Sequence, residues 1–332
     1  MPLRCECVFS SLNMPKESAE NIHVSVLPDE TLAFLNAVNG GIFVDATLGL
    51  GGHSELILNT APTNFVVALD QDQDAINIAV NRLNGYGDRL RIAHSNFSGI
   101  RTVLESFKIE KVDGILADLG VSSLQLDSED RGFSFRFDAP LDMRMDASSG
   151  EPTAADLLAT LSETEIANII YRFGEERFSR RIARRIVEKR EAGEPVKTTK
   201  LLADLVTRSV RYNPKDKIHP ATRTFQALRI AVNHETEVLE QFVVDAIDLL
   251  KTDGRLVVIT FHSLEDRIVK RAFQKLSGKC FCPPRIPQCS CGAKKEVEIL
   301  TRKPVVPSVE EIEANPRSRS AKLRAVKKLQ AE

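Results

Sequence analysis

The 332-residue chain contains no tryptophan and only three tyrosines. Any stacking on a nucleobase must therefore fall to Phe, His or Arg. No run of 18 apolar residues occurs, so no transmembrane helix is expected. Charge of one sign is not in excess: 45 Lys and Arg face 46 Asp and Glu, for a net charge of −1. A uniformly basic coat is excluded, although local basic patches are not. Residues 1–21 lack the apolar segment of a secretory signal, and a cytoplasmic location is expected. There the six cysteines should be reduced. What is present suits a folded protein. The 42% hydrophobic content supports a sizeable core, and 27% charged residues is ordinary. The length fits two domains, or one domain with an insertion.

The first 21 residues are polar and read as a disordered extension. Residues 29–38 then predict a helix. From Ile42 the pattern alternates. Strands are expected at 42–45, 65–70, 90–93 and 112–118, with helices at 53–59, 73–83 and 98–107 between them. Such spacing implies βαβ units and a parallel sheet. The alternation stops after Asp118. Residues 119–150 read as a loop and 153–250 as helices, before a strand at 255–261 and a helix at 264–276. Segments 296–301 and 320–326 read as a last strand pair. The expected plan is an α/β core over 22–139 and 251–332, with a helical insertion over 140–250.

Ligands of an open α/β sheet bind outside the carboxyl ends of its strands. The first strand ends in Asp45, and Gly49, Gly51 and Gly52 follow in a turn that opens a helix. Glycines let backbone approach a ligand, and the helix N-terminus offers N–H groups. The same cluster also fits a plain tight turn. The second strand ends in Asp70, which is placed to accept hydrogen bonds from ribose hydroxyls or to cap the next helix. The dinucleotide pattern G-x-G-x-x-G fails, because Ser54 stands at its sixth position. Asp45 would repel a pyrophosphate but suits an amino or sulfonium group. S-adenosylmethionine therefore fits better than a nicotinamide cofactor. Phe97, after the third strand, could cover an adenine or pack in the core. Asp118 ends the fourth strand, where cofactor and acceptor should meet, or caps the following loop.

Longer motifs carry a resemblance. They include His23-Val24-Ser25-Val26-Leu27, Gly49-Leu50-Gly51-Gly52-His53-Ser54, Asp118-Leu119-Gly120-Val121-Ser122-Ser123-Leu124-Gln125-Leu126-Asp127, Arg131-Gly132-Phe133-Ser134-Phe135 and Leu141-Asp142-Met143-Arg144-Met145. Further on are Gly174-Glu175-Glu176-Arg177-Phe178, His219-Pro220-Ala221-Thr222-Arg223-Thr224-Phe225-Gln226-Ala227-Leu228-Arg229, Phe261-His262-Ser263-Leu264-Glu265-Asp266-Arg267 and Asn315-Pro316-Arg317-Ser318-Arg319-Ser320. From about residue 22 onward the chain resembles the MraW family, that of the bacterial ribosomal RNA small subunit methyltransferase H. The resemblance implies a class I S-adenosylmethionine-dependent methyltransferase sheet, mostly parallel and Rossmann-like. It also implies methylation of the exocyclic N4 of one cytidine in the decoding region of 16S rRNA, within the small ribosomal subunit. The implied cofactor residues are Gly51, Gly52, His53, Asp70, Phe97, Asp118 and Gln125. His53 and Gln125 rest on the resemblance alone. No DNA or membrane partner is implied, and a homodimer is left open.

A cytosine N4 lone pair is conjugated into the ring and is a poor nucleophile. Acceptors for its N–H groups would localise it, and Asp118, as catalytic residue, Ser122 and the backbone carbonyls of Leu119 or Val121 are expected to serve. His262, after the fifth strand, is expected to contact the base, to act as proton acceptor, or to be satisfied by backbone. An RNA base must be unpaired or flipped to be reached, and phosphates need cations. The basic helix around Arg181 and Arg184, with the tail from Arg317 to Lys328 and its six Lys or Arg, is the expected RNA contact, although such faces can also be merely solvated. Cys280, Cys282, Cys289 and Cys291 form a C-x-C pair of pairs that could ligate one Zn²⁺. Free thiols or a redox-sensitive loop are the alternatives, and no metal is assigned to the active site. Competing functions are a methyltransferase acting on other RNA or DNA, a non-catalytic RNA-binding assembly factor, and a nicotinamide dehydrogenase. Binding of S-adenosylmethionine would count against the last two.

Overall fold

The computed structural model describes residues 25–210, 218–282, 290 and 293–330. The extension expected over 1–21 lies outside them, and so do Cys289 and Cys291 of the proposed zinc quartet. In chain order the elements begin with α1 (Pro28–Leu35), β1 (Gly41–Asp45), α2 (Gly52–Thr60), β2 (Asn64–Asp70) and α3 (Gln73–Arg82). Next come β3 (Leu90–His94), α4 (Ile100–Ser106), β4 (Val112–Asp118) and α5 (Ser123–Asp127). Five helices follow: α6 (Ala154–Thr160), α7 (Glu163–Gly174), α8 (Ser179–Glu191), α9 (Thr199–Ser209) and α10 (Thr222–Val232). The chain then forms α11 (Glu235–Leu249), β5 (Leu250–Thr260), α12 (Ser263–Leu276), β6 (Val297–Ile299), α13 (Val309–Ala314) and β7 (Lys322–Lys328). Among the described residues, no helix is long and apolar enough to cross a membrane.

The seven strands form one sheet in the order β3-β2-β1-β4-β5-β7-β6. The first five are parallel, and β7 runs antiparallel to both β5 and β6. This is the class I methyltransferase arrangement. The central strands are apolar without interruption, because helices cover both faces. Their side chains alternate. Val44, Val67, Ile115 and Val258 pack with α4, α11 and α12, whereas Phe43, Val66, Leu116 and Val257 pack with α1, α2 and α3. Strand order reverses between β1 and β4, which opens a crevice beyond Asp45 and Asp118.

A separate apolar core lies in the insertion. It joins Phe133, Leu141, Met143 and Met145 of the long loop to buried residues of α6–α10. Its packing corrects the expected boundaries: it begins before residue 140 and ends at Val232. Helix α11, expected in the insertion, instead packs Leu239, Phe242, Val243, Ala246 and Ile247 into the core of the sheet. Helical spacing identifies the apolar stripe of α11 but not the surface that it meets. The long loop also contains the short helix α5, opened by Ser122 and Gln125 in a capping box.

Helices α7 and α10 touch at Gly174. A Cβ there would lie 2.5 Å from the backbone carbonyl of Arg223. Gly174→Ala should therefore force the helices apart at a cost of about 1–3 kcal/mol. Urea denaturation checks this, and a midpoint equal to the parent's would mean that the contact yields freely.

Candidate active site

Asp45 is fully buried at the end of β1. Its Oδ2 accepts from Ser54 Oγ at 2.7 Å and its Oδ1 from Thr47 N at 3.2 Å. Burial pushes its carboxyl up, against the opposing pull of His53, Ser54 and Thr47. Both oxygens of Asp45 are thus committed to the turn. It anchors the start of α2 and does not face a ligand as the sequence suggests. The turn itself needs its glycines. Gly49 and Gly51 have φ of 51° and 84°, and a Cβ on Gly51 would lie 2.8 Å from Leu83 Cδ1. Gly52 is buried and begins α2.

Asp70 holds this turn from the next strand. One oxygen accepts from Gly49 N at 2.7 Å and the other from Asp72 N at 2.9 Å. Burial pushes its carboxyl up to about 6, despite those two N–H groups. Each oxygen keeps a second lone pair for a further donor. Asp72 caps α3 and accepts from Gln125 Nε2 at 2.8 Å and from Arg131 at 3.2 Å. Gln125 Oε1 also accepts from Ser122 N at 3.1 Å. Gln125 is therefore buried and already bonded at both ends of its amide, and it ties α5 to α3. Phe97 follows β3, partly buried, with its ring 5.1 Å from that of Phe242 and edge-on to it. A cleft of about 400 Å³ opens beside this edge. Gln71, Ser95, Asn96, Arg144 and Asn233 are among its lining residues.

The remaining pair sits at the crevice. His53, in the first turn of α2, brings Nε2 to 3.6 Å from Asp118 Oδ2, within ion-pair range but beyond a hydrogen bond. Burial works against charge on His53, but Asp118, Asp45 and Glu311 outweigh it and raise its pKa. Asp118 N donates to Thr47 Oγ1 at 2.7 Å, which fixes the end of β4 to the turn. His53 Nε2 and Asp118 Oδ1 are buried and have no hydrogen-bond partner among the described residues. Two such atoms so close together mark a place built for a ligand. A polar or cationic group would satisfy Asp118. Ser122 stands four residues on, its Oγ accepting from Gln125 N at 3.2 Å.

Sequence-predicted residues are thus divided. Gly51, Gly52, His53, Asp70, Asp118, Ser122 and Gln125 gather at the carboxyl edge, with Phe97 beside them. His262 is at the end of β5 but serves as the N-cap of α12, with Nε2 2.9 Å from Glu265 Oε1. Glu265 is buried, which alone would raise its pKa, but His262, Arg229 and Phe261 N bring it below the usual range. Arg229 of α10 binds both oxygens of Glu235 at 2.8 Å and lies 3.9 Å from Glu265. Glu235, His262 and Glu265 are close enough to share a metal ion, but the Arg229 guanidinium already supplies the cation. Arg181 and Arg184 stand apart, exposed on α8. Arg184 is 3.8 Å from Glu163, and Arg181 has no ion-pair partner among the described residues. Asp72, Arg131, Arg229 and Glu311 were not picked out by sequence. Arg131 and Arg229 fall in quoted motifs, the one available signal.

A family model described as the MraW methylase family matches residues 20–329. The ribosomal RNA small subunit methyltransferase H of Carboxydothermus hydrogenoformans is 52% identical over 307 residues, covering 92% of this chain and 98% of that protein. The enzyme of the same name from Geobacter sp. (strain M21) is 50% identical over 309 residues, with the same two coverages. That from Clostridioides difficile (strain 630) is 48% identical over 311 residues, covering 92% of this chain and 99% of its own.

Proposed function

The chain belongs to the MraW methylase family, and from that premise we propose that it methylates the exocyclic N4 of a cytidine in the decoding region of 16S rRNA, with S-adenosylmethionine as donor. The observation that carries this reading is the pair of buried, unpartnered atoms, His53 Nε2 and Asp118 Oδ1, at the switch point of the sheet. When bound, the cofactor supplies a methyl group activated on a sulfonium. Asp70 would accept from its ribose, Phe97 would flank its adenine, and the Gly51-Gly52-His53 turn would close over it. Asp118 and the turn suit its positive charge.

The rest is done by protein groups. N4 must be held about 3–3.5 Å from the methyl carbon and in line with the bond that breaks. Asp118 accepts an N4–H, which keeps the lone pair on nitrogen free for attack. The Ser122 hydroxyl offers a second acceptor on the rigid start of α5. His53 restrains the Asp118 carboxylate from its other oxygen. As the N–C bond forms, the amine becomes acidic, and Asp118 is the nearest base for its proton. His262, tied to Glu265, lines the far side of the crevice, where its role is to shape the base pocket.

RNA contact is assigned to the insertion. Glu175, at the end of α7, accepts from Ser263 Oγ and Arg267 at 2.7 Å each, beside His262. Helix α8 starts four residues later, and its first turn carries the exposed Arg180 and Arg181. That basic turn lies close to the crevice in sequence and suits the phosphates around the target, with Arg184 one turn further. Incubation with labelled cofactor and small ribosomal subunits from cells lacking the activity tests the whole reading. Label should appear at one cytidine, and label elsewhere or nowhere would refute it.

Two sharper outcomes follow from the geometry. Asp118→Asn keeps the shape but turns an acceptor into a donor facing the amine. Single-turnover transfer at saturating cofactor should fall about 10²-fold or more. A parent-like rate would remove Asp118 from the chemical step.

The second concerns pH. The folded pKa of Asp70, about 6, lies above its ordinary 3.8. The stability that it contributes is therefore full below the ordinary value and is lost as pH rises through about 6. Ribose hydroxyls bond best to the ionised form, so cofactor affinity should increase as pH climbs through that value. Calorimetry from about pH 5 to about pH 7.5 should show the rise in the parent but not in Asp70→Asn. A flat parent profile would detach Asp70 from the ribose.

A further inference from the structure

The segment from Val309 to Ser320 crosses the carboxyl edge of the sheet as a strap. Strand β7 runs antiparallel to β5 with Lys322 opposite Thr260, and Ile259 lies opposite Asp118. The residues just before Lys322 must therefore lie at the edge that holds Asp118. Both ends of the strap are fastened. Glu311 accepts from Leu27 N at 2.8 Å, next to α1. Arg317 reaches Asp127, at the end of α5, at 2.5 Å. Next to Arg317, Ser318 is fully buried, with its Oγ donating to the Asn315 carbonyl at 2.8 Å. The turn is thus bonded within itself and leaves Arg317 and Arg319 exposed on either side of Ser318.

Charge on the strap is segregated. Glu310, Glu311 and Glu313 occupy its α1 end, and Arg317 and Arg319 its α5 end. Arg136, largely exposed, lies 3.9 Å from Asp127 and adds to the basic end. Arg317 is engaged with Asp127, whereas Arg319 has no ion-pair partner among the described residues. An RNA strand presented to Asp118 would be repelled by the glutamates and drawn along the arginines.

We propose that the basic end of the strap, Arg319 with Arg136, grips phosphates flanking the target nucleotide, and that the Arg317–Asp127 pair clasps it in position. This rests on the reading of the substrate as RNA. It gives the acceptor a fixed direction across the site, with its backbone leaving over α5.

Methyl transfer to small ribosomal subunits, followed at several salt concentrations, tests it. Arg319→Ala should raise KM about fivefold, make the log–log salt slope shallower by about one, and leave kcat and cofactor affinity alone. Arg319→Lys should keep most of the parent's KM, since a point charge still serves a phosphate. Asp127→Ala should raise KM by releasing the clasp, and the exchange of Arg317→Asp with Asp127→Arg should restore it. An Arg319→Ala enzyme with the parent's KM and salt slope would overturn the proposal. A fall in cofactor affinity matching the rise in KM would overturn it as well. Failure of the parent itself to methylate subunits would instead refute the underlying function, and the strap's role with it.

Discussion

The Asp70 carboxylate joins segments that would otherwise be independent loops. One oxygen holds the glycine turn after β1 and the other the start of α3. Asp72 carries the connection on to Gln125 in α5 and to Arg131. Arg131 then binds the carbonyls of Arg144 and Met145, at 3.2 and 3.0 Å, in the loop that enters the insertion. A buried carboxylate without donors would be strongly unfavourable, so each acid here requires its particular N–H groups in place. The same requirement makes the site rigid before any ligand arrives. Preorganisation of this kind is what a displacement reaction needs, because alignment rather than covalent assistance limits it.

The edge built in this way is acidic. Asp45, Asp70, Asp72 and Asp118 lie at three strand ends and their turns. That environment suits a cationic cofactor and opposes phosphates. On the function proposed above, RNA is held away from this acidic centre, by the exposed arginines of α8, by Arg136 and by the strap.

Much of the sheet could be read from sequence. Apolar runs of strand length, each ending in an acid or a turn, located β1–β4 to within one residue and the end of β5 but not its start at Leu250, because a strand buried on both faces has little freedom in composition. The same logic placed Asp70 and Asp118 at strand ends, where they stand in the structure. The tasks of Asp72 and Gln125 were hidden, since their partners lie 53 and 59 residues away and either residue alone looks like an ordinary helix cap. Asp45 misled for a related reason. An acid before a glycine turn can face the ligand or the helix, and only its 2.7 Å bond to Ser54 decides. The lobe chosen by α11 was illegible because an apolar stripe does not name its neighbour. The Arg229–Glu235–Glu265 cluster, which links α10 to α11 and α12, depends on that choice.

The order in which a ribosome would deliver these pieces has its own consequence. Strands β4 and β5 are sheet neighbours, but the whole insertion separates them in the chain. Strand β7 fills the gap between β5 and β6 and is the last strand made. The bond from Leu27 to Glu311 spans 284 residues. The insertion, with its own core, can condense while synthesis continues. The sheet cannot close until β7 has emerged. Such non-local closure is slow and leaves strand edges exposed meanwhile. A fragment ending before Val309 would keep every residue of the glycine turn and still lack β7, the partner that β5 and β6 share.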